Sequence, residues 1–417
     1  MLLARCLRGV AAALFFLVCA VAADAFEGRV VDATTGEGIA DAIIGIGELT
    51  VRSDPAGRFR IDAEGERIQL RAPGYRAASI RTAEALQTDG LLRLTPFLPK
   101  ALYLSFYGIG SKSLREAALT LVRDAALNAL VIDVKGDRGM ISYRSALPLA
   151  AAVGAQRVIT IPDLPALLRM LREAGIYAIA RIVVFKDDPL ATARPDLAVK
   201  EENGSLFHDR EGLAWTDPFL QEVRDYNVGI AVEAARAGFD EIQFDYLRFP
   251  DTPRLRFARP STEVSRIEAI TSLLTQARRG LAPFNVYLAA DIFGYVCWNE
   301  NDTGIGQRLE ALLPLVDYLS PMLYPSGFQF GIPGYRDPVA HPYEIVRLSL
   351  EQARARTGVS PRRFRPWLQA FRDYAFDRRV FDADEVALQI RAATEFGSDG
   401  WMLWDPRNIY SDTGLKP

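Results

Sequence analysis

The chain predicts a (β/α)8 barrel preceded by a small β-sandwich. Three observations carry this. From about residue 100 onward, eight short apolar segments alternate with amphipathic stretches; no hairpin signal interrupts them; and the first hundred residues keep a different rhythm of short strands and tight turns. A doubly wound sheet is the alternative for the same alternation.

At 417 residues with 49% hydrophobic content, the chain exceeds one average domain and can fill a large core. A net charge of -3 gives no basis for a nucleic-acid partner. Arg5 and Arg8 precede an apolar run over 10–22, with small residues at Ala23 and Ala25. That pattern predicts a signal peptide over 1–25, cleaved after Ala23 or Ala25, and hence an exported protein, periplasmic or secreted. The apolar run of about 13 residues is short for a membrane span. Val18 stands before Cys19, where lipidation wants a small residue. Of the three cysteines only Cys297 lies beyond this segment, so no internal disulfide is expected and Cys297 reads as a small buried hydrophobe.

Residues 26–99 carry strand signals at 28–32, 42–46 and 58–62, with turn punctuation at Thr35-Gly36, Asp54-Pro55 and Ala56-Gly57. Short strands at this spacing predict the sandwich. The order G-x-V-x-D (Gly28 to Asp32), T-G, I-x-x-A (Ile39 to Ala42) and D-x-x-G-x-F (Asp54 to Phe59) resembles the carboxypeptidase regulatory-like domain. That likeness implies a fold and no chemistry: a spacer or attachment module, able to associate with the cell envelope and separable at the Pro-rich joint 95–100.

The barrel strands are expected at 102–107, 130–135, 177–184, 241–249, 286–293, 318–324, 366–371 and 401–405. Helices are expected at 113–128, 164–174, 218–237, 264–280, 342–356 and 384–396, most ending near Gly or a turn. A long excursion over 187–216 follows the third strand, and long loops on that side shape binding clefts.

The fourth of these strands, EIQFDYLRFP over 241–250, is the most informative segment. Alternation puts Glu241, Gln243 and Asp245 on one face and Ile242, Phe244 and Tyr246 on the other. Inward polar groups at a strand's C-terminal end are what an active site in a parallel barrel requires, which makes Asp245 the first catalytic candidate. Asp133, Asp291 and Asp405 close the second, fifth and eighth strands, so four acids are expected at one rim. Arg181 and Gln369 point inward and Tyr324 ends the sixth strand. One such acid alone reads as a helix cap or ion-pair partner, whereas four crowded together raise one another's pKa values and need a purpose.

The D-Y-x-R-F-P run of Asp245, Tyr246, Leu247, Arg248, Phe249 and Pro250 resembles the signature of a glycoside hydrolase family first catalogued as a domain of unknown function, a distant relative of α-amylase-type TIM barrels. The resemblance covers roughly 100–410 within a barrel domain at 100–417. It implies a hydrolase acting on a polysaccharide or oligosaccharide, with Asp245 as nucleophile and the acid on the fifth strand. Those barrels carry Glu there and this chain has Asp291, with Glu300 as the substitute. Arg248 is expected to orient Asp245 or a sugar hydroxyl, or to pair with Asp251. Trp215, Trp298, Trp401 and Trp404, with Tyr246, Tyr295 and Tyr324, supply rings for sugar faces, Trp401 being placed with the substrate-binding residues.

No cofactor or metal is expected. The chain has two histidines, too few for a zinc hydrolase, and no G-x-S-x-G elbow. Gly108 to Ser113 lacks the spacing of a phosphate loop and reads as the first β-α turn. A barrel that binds polysaccharide without cleaving it is the alternative function.

Overall fold

The structure, a computed structural model, describes residues 25–125, 127–412, 414 and 415. The expected signal segment lies outside the described residues, apart from Ala25.

Seven strands form the N-terminal part: β1 (Phe26–Asp32), β2 (Ile43–Ile46), β3 (Leu49–Arg52), β4 (Arg58–Ile61), β5 (Arg67–Arg71), β6 (Ala78–Arg81) and β7 (Leu91–Leu94). One sheet has the order β4-β1-β7 and the other β3-β2-β5-β6. Their apolar faces meet over a common core that includes Val30, Ile44, Ile61, Leu70 and Leu92, which gives the two-layered β module that the strand spacing predicted. The D-x-x-G-x-F turn forms because Asp54 Oδ1 accepts the amides of Ala56 and Arg58, each at 2.8 Å, while Gly57 takes the left-handed conformation.

Eight parallel strands then close a barrel: β8 (Lys100–Leu104), β9 (Ala129–Lys135), β10 (Tyr177–Val183), β11 (Glu241–Asp245), β12 (Tyr287–Phe293), β13 (Tyr318–Met322), β14 (Trp367–Gln369) and β15 (Trp401–Trp404), with β15 returning to β8. All six expected helices form, at Lys112–Asp124, Leu164–Glu173, Gln221–Ala237, Glu263–Leu281, Pro342–Thr357 and Ala383–Phe396. Their starts are capped by Ser111, Asp163, Thr262 and Asp382, and three end in left-handed Gly238, Gly358 and Gly397. Outward residues such as Ile132, Ile182, Ile242, Phe244 and Leu403 pack under the helices, while Tyr103, Val131, Ile179, Tyr318, Trp367 and Met402 fill the interior.

The inward side chains of β11 climb the barrel. Glu241, at the bottom, accepts from Arg365, which also holds Asp399 at 3.0 Å. Gln243, in the middle, donates to Ser320 Oγ at 3.2 Å. Asp245 reaches the top.

The N-terminal module seals the lower end of the barrel instead of hanging from its joint. Tyr287, the first residue of β12, donates to the carbonyls of Ala72 and Tyr75 at 2.9 and 2.8 Å and accepts from Ala72 N at 3.2 Å. Asn285 donates to Ala78 O at 2.8 Å, and Arg71 faces Asp317 at 3.6 Å. The opposite rim is left free for chemistry.

Candidate active site

At the upper rim, Arg181 on β10 gathers three acids. Its Nη1 lies 2.7 Å from Asp133 Oδ1, its Nη2 2.8 Å from Asp137 Oδ1 and 2.6 Å from Asp245 Oδ2, and its Nε 2.9 Å from the same Asp245 oxygen. A register shift between Arg181 and Ile182 in the pairing of β10 with β9 leaves Arg181 directly beside Asp133. Asp133 Oδ2 also accepts from Tyr103 and from the amide of Phe106.

The electrostatics follow from burial. Loss of water pushes the Asp133 carboxyl up to about 6, against the pull of Arg181. Burial also opposes the charge of Arg181, but Asp137, Asp133 and Asp245 together hold its pKa well above the usual arginine value. Asp291 lies on β12, one residue past Ala290, which pairs with Phe244 just before Asp245 on the neighbouring strand. It is 0% exposed; burial first, and then the charge of Asp245, drive its pKa well above the carboxylate range. Trp367 Nε1 donates to its Oδ1 at 2.9 Å, and Oδ2 has no partner among the described residues. Asp291 therefore sits beneath the cleft floor, next to Asp245 and away from the solvent, where burial and that neighbouring charge both favour its protonated form.

The strand ends at Asp245 and alternation ends with it. Tyr246 takes φ 48°, a conformation rare for a bulky residue, and its amide donates to Asp245 Oδ1 at 2.5 Å. The turn swings the Tyr246 ring into the cleft, where it meets Trp215 edge-on at 5.7 Å. Arg181, Asp245, Tyr246, Arg248, Tyr324 and Trp404 line a cavity of about 370 Å3, with Phe293, Phe371 and Tyr374 at its wall. A second cavity of about 210 Å3 continues past Tyr107, Asp133 and Asp137, and a third of about 570 Å3 opens beyond Tyr246 and Arg248 toward Glu211 on the long loop. The three form one groove across the rim.

Six of the eleven residues expected at the site line these three cavities, and Trp401, Asp405, Gln369, Gln243 and Asp291 do not. Trp401 faces outward into the core under the helices; Trp404, three positions on, is the ring that turns inward and stacks on Tyr103 at 4.0 Å. Asp405 follows the outward side too, lining a neighbouring cavity and accepting from Arg407 N at 2.7 Å. Period-2 alternation along WMLWD sends Met402 and Trp404 in, so the signal for this correction was present in the sequence. Gln369 is fully buried and bonded to Ser326 and Phe371, where it holds the loop after β13. Gln243 lies one layer below the cleft. Arg248 does not pair with Asp251: no carboxylate lies within 4 Å of its guanidinium among the described residues. Glu300 is exposed and lines none of these three cavities.

Asp137 and Tyr103 escape a reading by strand ends. Asp137 lies in the loop after β9, and Tyr103 is an apolar-looking member of β8 whose hydroxyl reaches Asp133.

No curated protein matches the chain. Among solved structures, a hypothetical protein from Ruminiclostridium thermocellum is 36% identical over 46% of this chain and 96% of its own, with a TM-score of 0.41. The PgaB (BpsB) glycoside hydrolase domain from Bordetella bronchiseptica is 16% identical over 75% of this chain and 95% of its own, with a TM-score of 0.51. Alpha-L-fucosidase isoenzyme 2 from Paenibacillus thiaminolyticus is 15% identical over 76% and 48%, also with a TM-score of 0.51. The last two share the barrel fold. The decisive match is to a family model: over residues 101–410 the chain fits the putative glycosyl hydrolase domain, and it belongs to that family.

Proposed function

We propose that this chain is an exported hydrolase that cleaves glycosidic bonds of a polysaccharide with two carboxyls of the rim, Asp245 and Asp137. The observation that carries the reading is their shared nitrogen. Oxygens at 2.6 and 2.8 Å from Arg181 Nη2 lie no more than about 5.4 Å apart, a bound that admits a retaining pair, at about 5 to 5.5 Å, and falls short of the wider spacing of an inverting one. The groove of tyrosine, phenylalanine and tryptophan rings around them suits the apolar faces of sugars.

In this reading Asp245 attacks the anomeric carbon as the bond to the leaving oxygen breaks, and Asp137 gives that oxygen its proton. Water then attacks the glycosyl-enzyme bond, Asp137 takes a proton from it, and Asp245 is released. Asp137 is the solvent-facing member of the three acids on Arg181, its side chain 38% exposed against 2% for Asp133 and 8% for Asp245, and so is the one placed to meet a leaving oxygen. Asp291, expected as the acid, is too deeply buried to touch a sugar; we assign it to supporting Asp245 from beneath the cleft floor. Export rests on the signal-peptide pattern over 1–25.

The test is release of reducing ends from a panel of bacterial and plant polysaccharides, by the wild type and by Asp245→Asn. Release by the wild type alone is expected. A barrel that binds without cleaving is the second reading, favoured by the two Arg181 bonds that occupy Asp245 Oδ2. Binding with no release from any polymer would establish it.

A further inference from the structure

Arg248 stands in the groove with no carboxylate in salt-bridge contact among the described residues, although the charges of Asp251, Asp245 and Asp209 reach it. Its guanidinium lies 4.8 Å from the ring centre of Trp215, 5.3 Å from Tyr246 and 5.0 Å from Phe293. Nη1 donates to the carbonyl of Phe249 at 3.1 Å, and Nε and Nη2 make no hydrogen bond to the described residues. The cage is itself fixed: Trp215 Nε1 donates to Asp209 Oδ2 at 3.0 Å, and Tyr246 is held by its turn. Asp245, the acid that lines the central cavity with it, is engaged by Arg181, and Asp209 is engaged by Trp215 and Lys186.

A cation taken partly out of water without a partner is costly, and burial does lower the pKa of Arg248. A neutral sugar needs no such group, since its hydroxyls are served by tyrosines, amides and carboxylates. The free edge formed by Nε and Nη2 is instead the fork that takes a carboxylate through two parallel bonds. Arg248 also borders both the central cavity and the one beyond it, so a ligand group held there belongs to a sugar next to Asp245.

We propose that Arg248 is a specificity-determining residue that binds the carboxylate of an acidic sugar, so that the substrate is a polysaccharide containing uronic acid. The inference rests on the hydrolase reading above and narrows its substrate class. The flat cage keeps the guanidinium plane in place, so little entropy is lost when the carboxylate docks.

The experiment measures binding apart from cleavage. Asp245→Asn is titrated with polygalacturonate, alginate and hyaluronate and with the carboxyl-reduced form of each. At least one acidic polymer should bind roughly tenfold to a hundredfold tighter than its reduced form, with affinity falling as salt rises. Arg248→Gln in the same background should remove most of that difference, and Arg248→Lys, which keeps the charge but loses the fork, should retain only part of it. The salt dependence needs no variant, so a misfolded Arg248→Gln does not block the test. Equal affinity for the acidic and reduced forms, or no binding to any acidic polymer, overturns the assignment. Cleavage of neutral polymers by the wild type would then leave the hydrolase reading standing, whereas tight acidic binding with no polymer cleaved would overturn that reading and spare Arg248.

Discussion

Arg181 holds Asp245 by two nitrogens on one oxygen: Nε and Nη2 lie 2.9 and 2.6 Å from Oδ2, while Oδ1 receives only the amide of Tyr246. The carboxylate is thereby locked in one rotamer with the less encumbered oxygen left for chemistry. The same guanidinium carries Asp133 and Asp137, so one buried cation organises the whole rim.

This sharing sets opposite expectations for its members. Asp245→Asn should abolish hydrolysis while changing stability by no more than about 1 kcal/mol, because two carboxylates still pair Arg181. Arg181→Met should cost about 3–5 kcal/mol, since it leaves buried acids without a cation. Urea unfolding of both variants measures the contrast; equal losses would show that Asp245 is itself the structural partner.

The pH dependence follows from Asp133. Its carboxyl is pushed up to about 6 in the folded protein, against about 3.9 in an unfolded chain. Between those values the folded state keeps a proton that the unfolded state loses, so this group makes stability fall as pH rises from about 4 to about 6. Compared with wild type, Asp133→Asn should have a urea midpoint that falls less, or rises more, over that window. A parallel pair of profiles would contradict the assignment.

Leaving-group chemistry separates Asp137 from Asp291. Asp137→Ala should slow glycosides with poor leaving groups strongly and activated aryl glycosides mildly, because a good leaving group departs without a proton. Asp291→Ala should affect both alike, as it perturbs Asp245 and touches no leaving oxygen. The reverse pattern would return the acid role to Asp291.

At the lower end of the barrel, Tyr287→Phe should cost about 1–3 kcal/mol, because its hydroxyl serves three backbone bonds with Ala72 and Tyr75. A chain starting at Lys100 should melt several degrees below the full protein, since sealing contacts such as these are lost with residues 26–99. An unchanged melting temperature would mean that the module is an independent appendage.

The barrel, its eight strands and its six long helices were legible in the sequence because periodicity is local: an inward or outward position depends on the parity of a residue within its own strand. Asp133, Arg181, Asp245 and Asp291 follow from that parity alone, as does the choice of Trp404 over Trp401. What only the tertiary structure decided is the company each side chain keeps. Residues 48 and 64 positions from Arg181 meet its guanidinium, Asp137 joins from a loop with no periodicity, and Tyr246 reaches the cleft because a left-handed turn breaks the strand pattern. Depth was equally out of reach, since Asp245 and Asp291 each follow the paired residues Phe244 and Ala290 on adjacent strands, yet only Asp245 lines the cavity. Parity tells which way a side chain points; packing across strands determines whether water, a cation or a substrate can reach it.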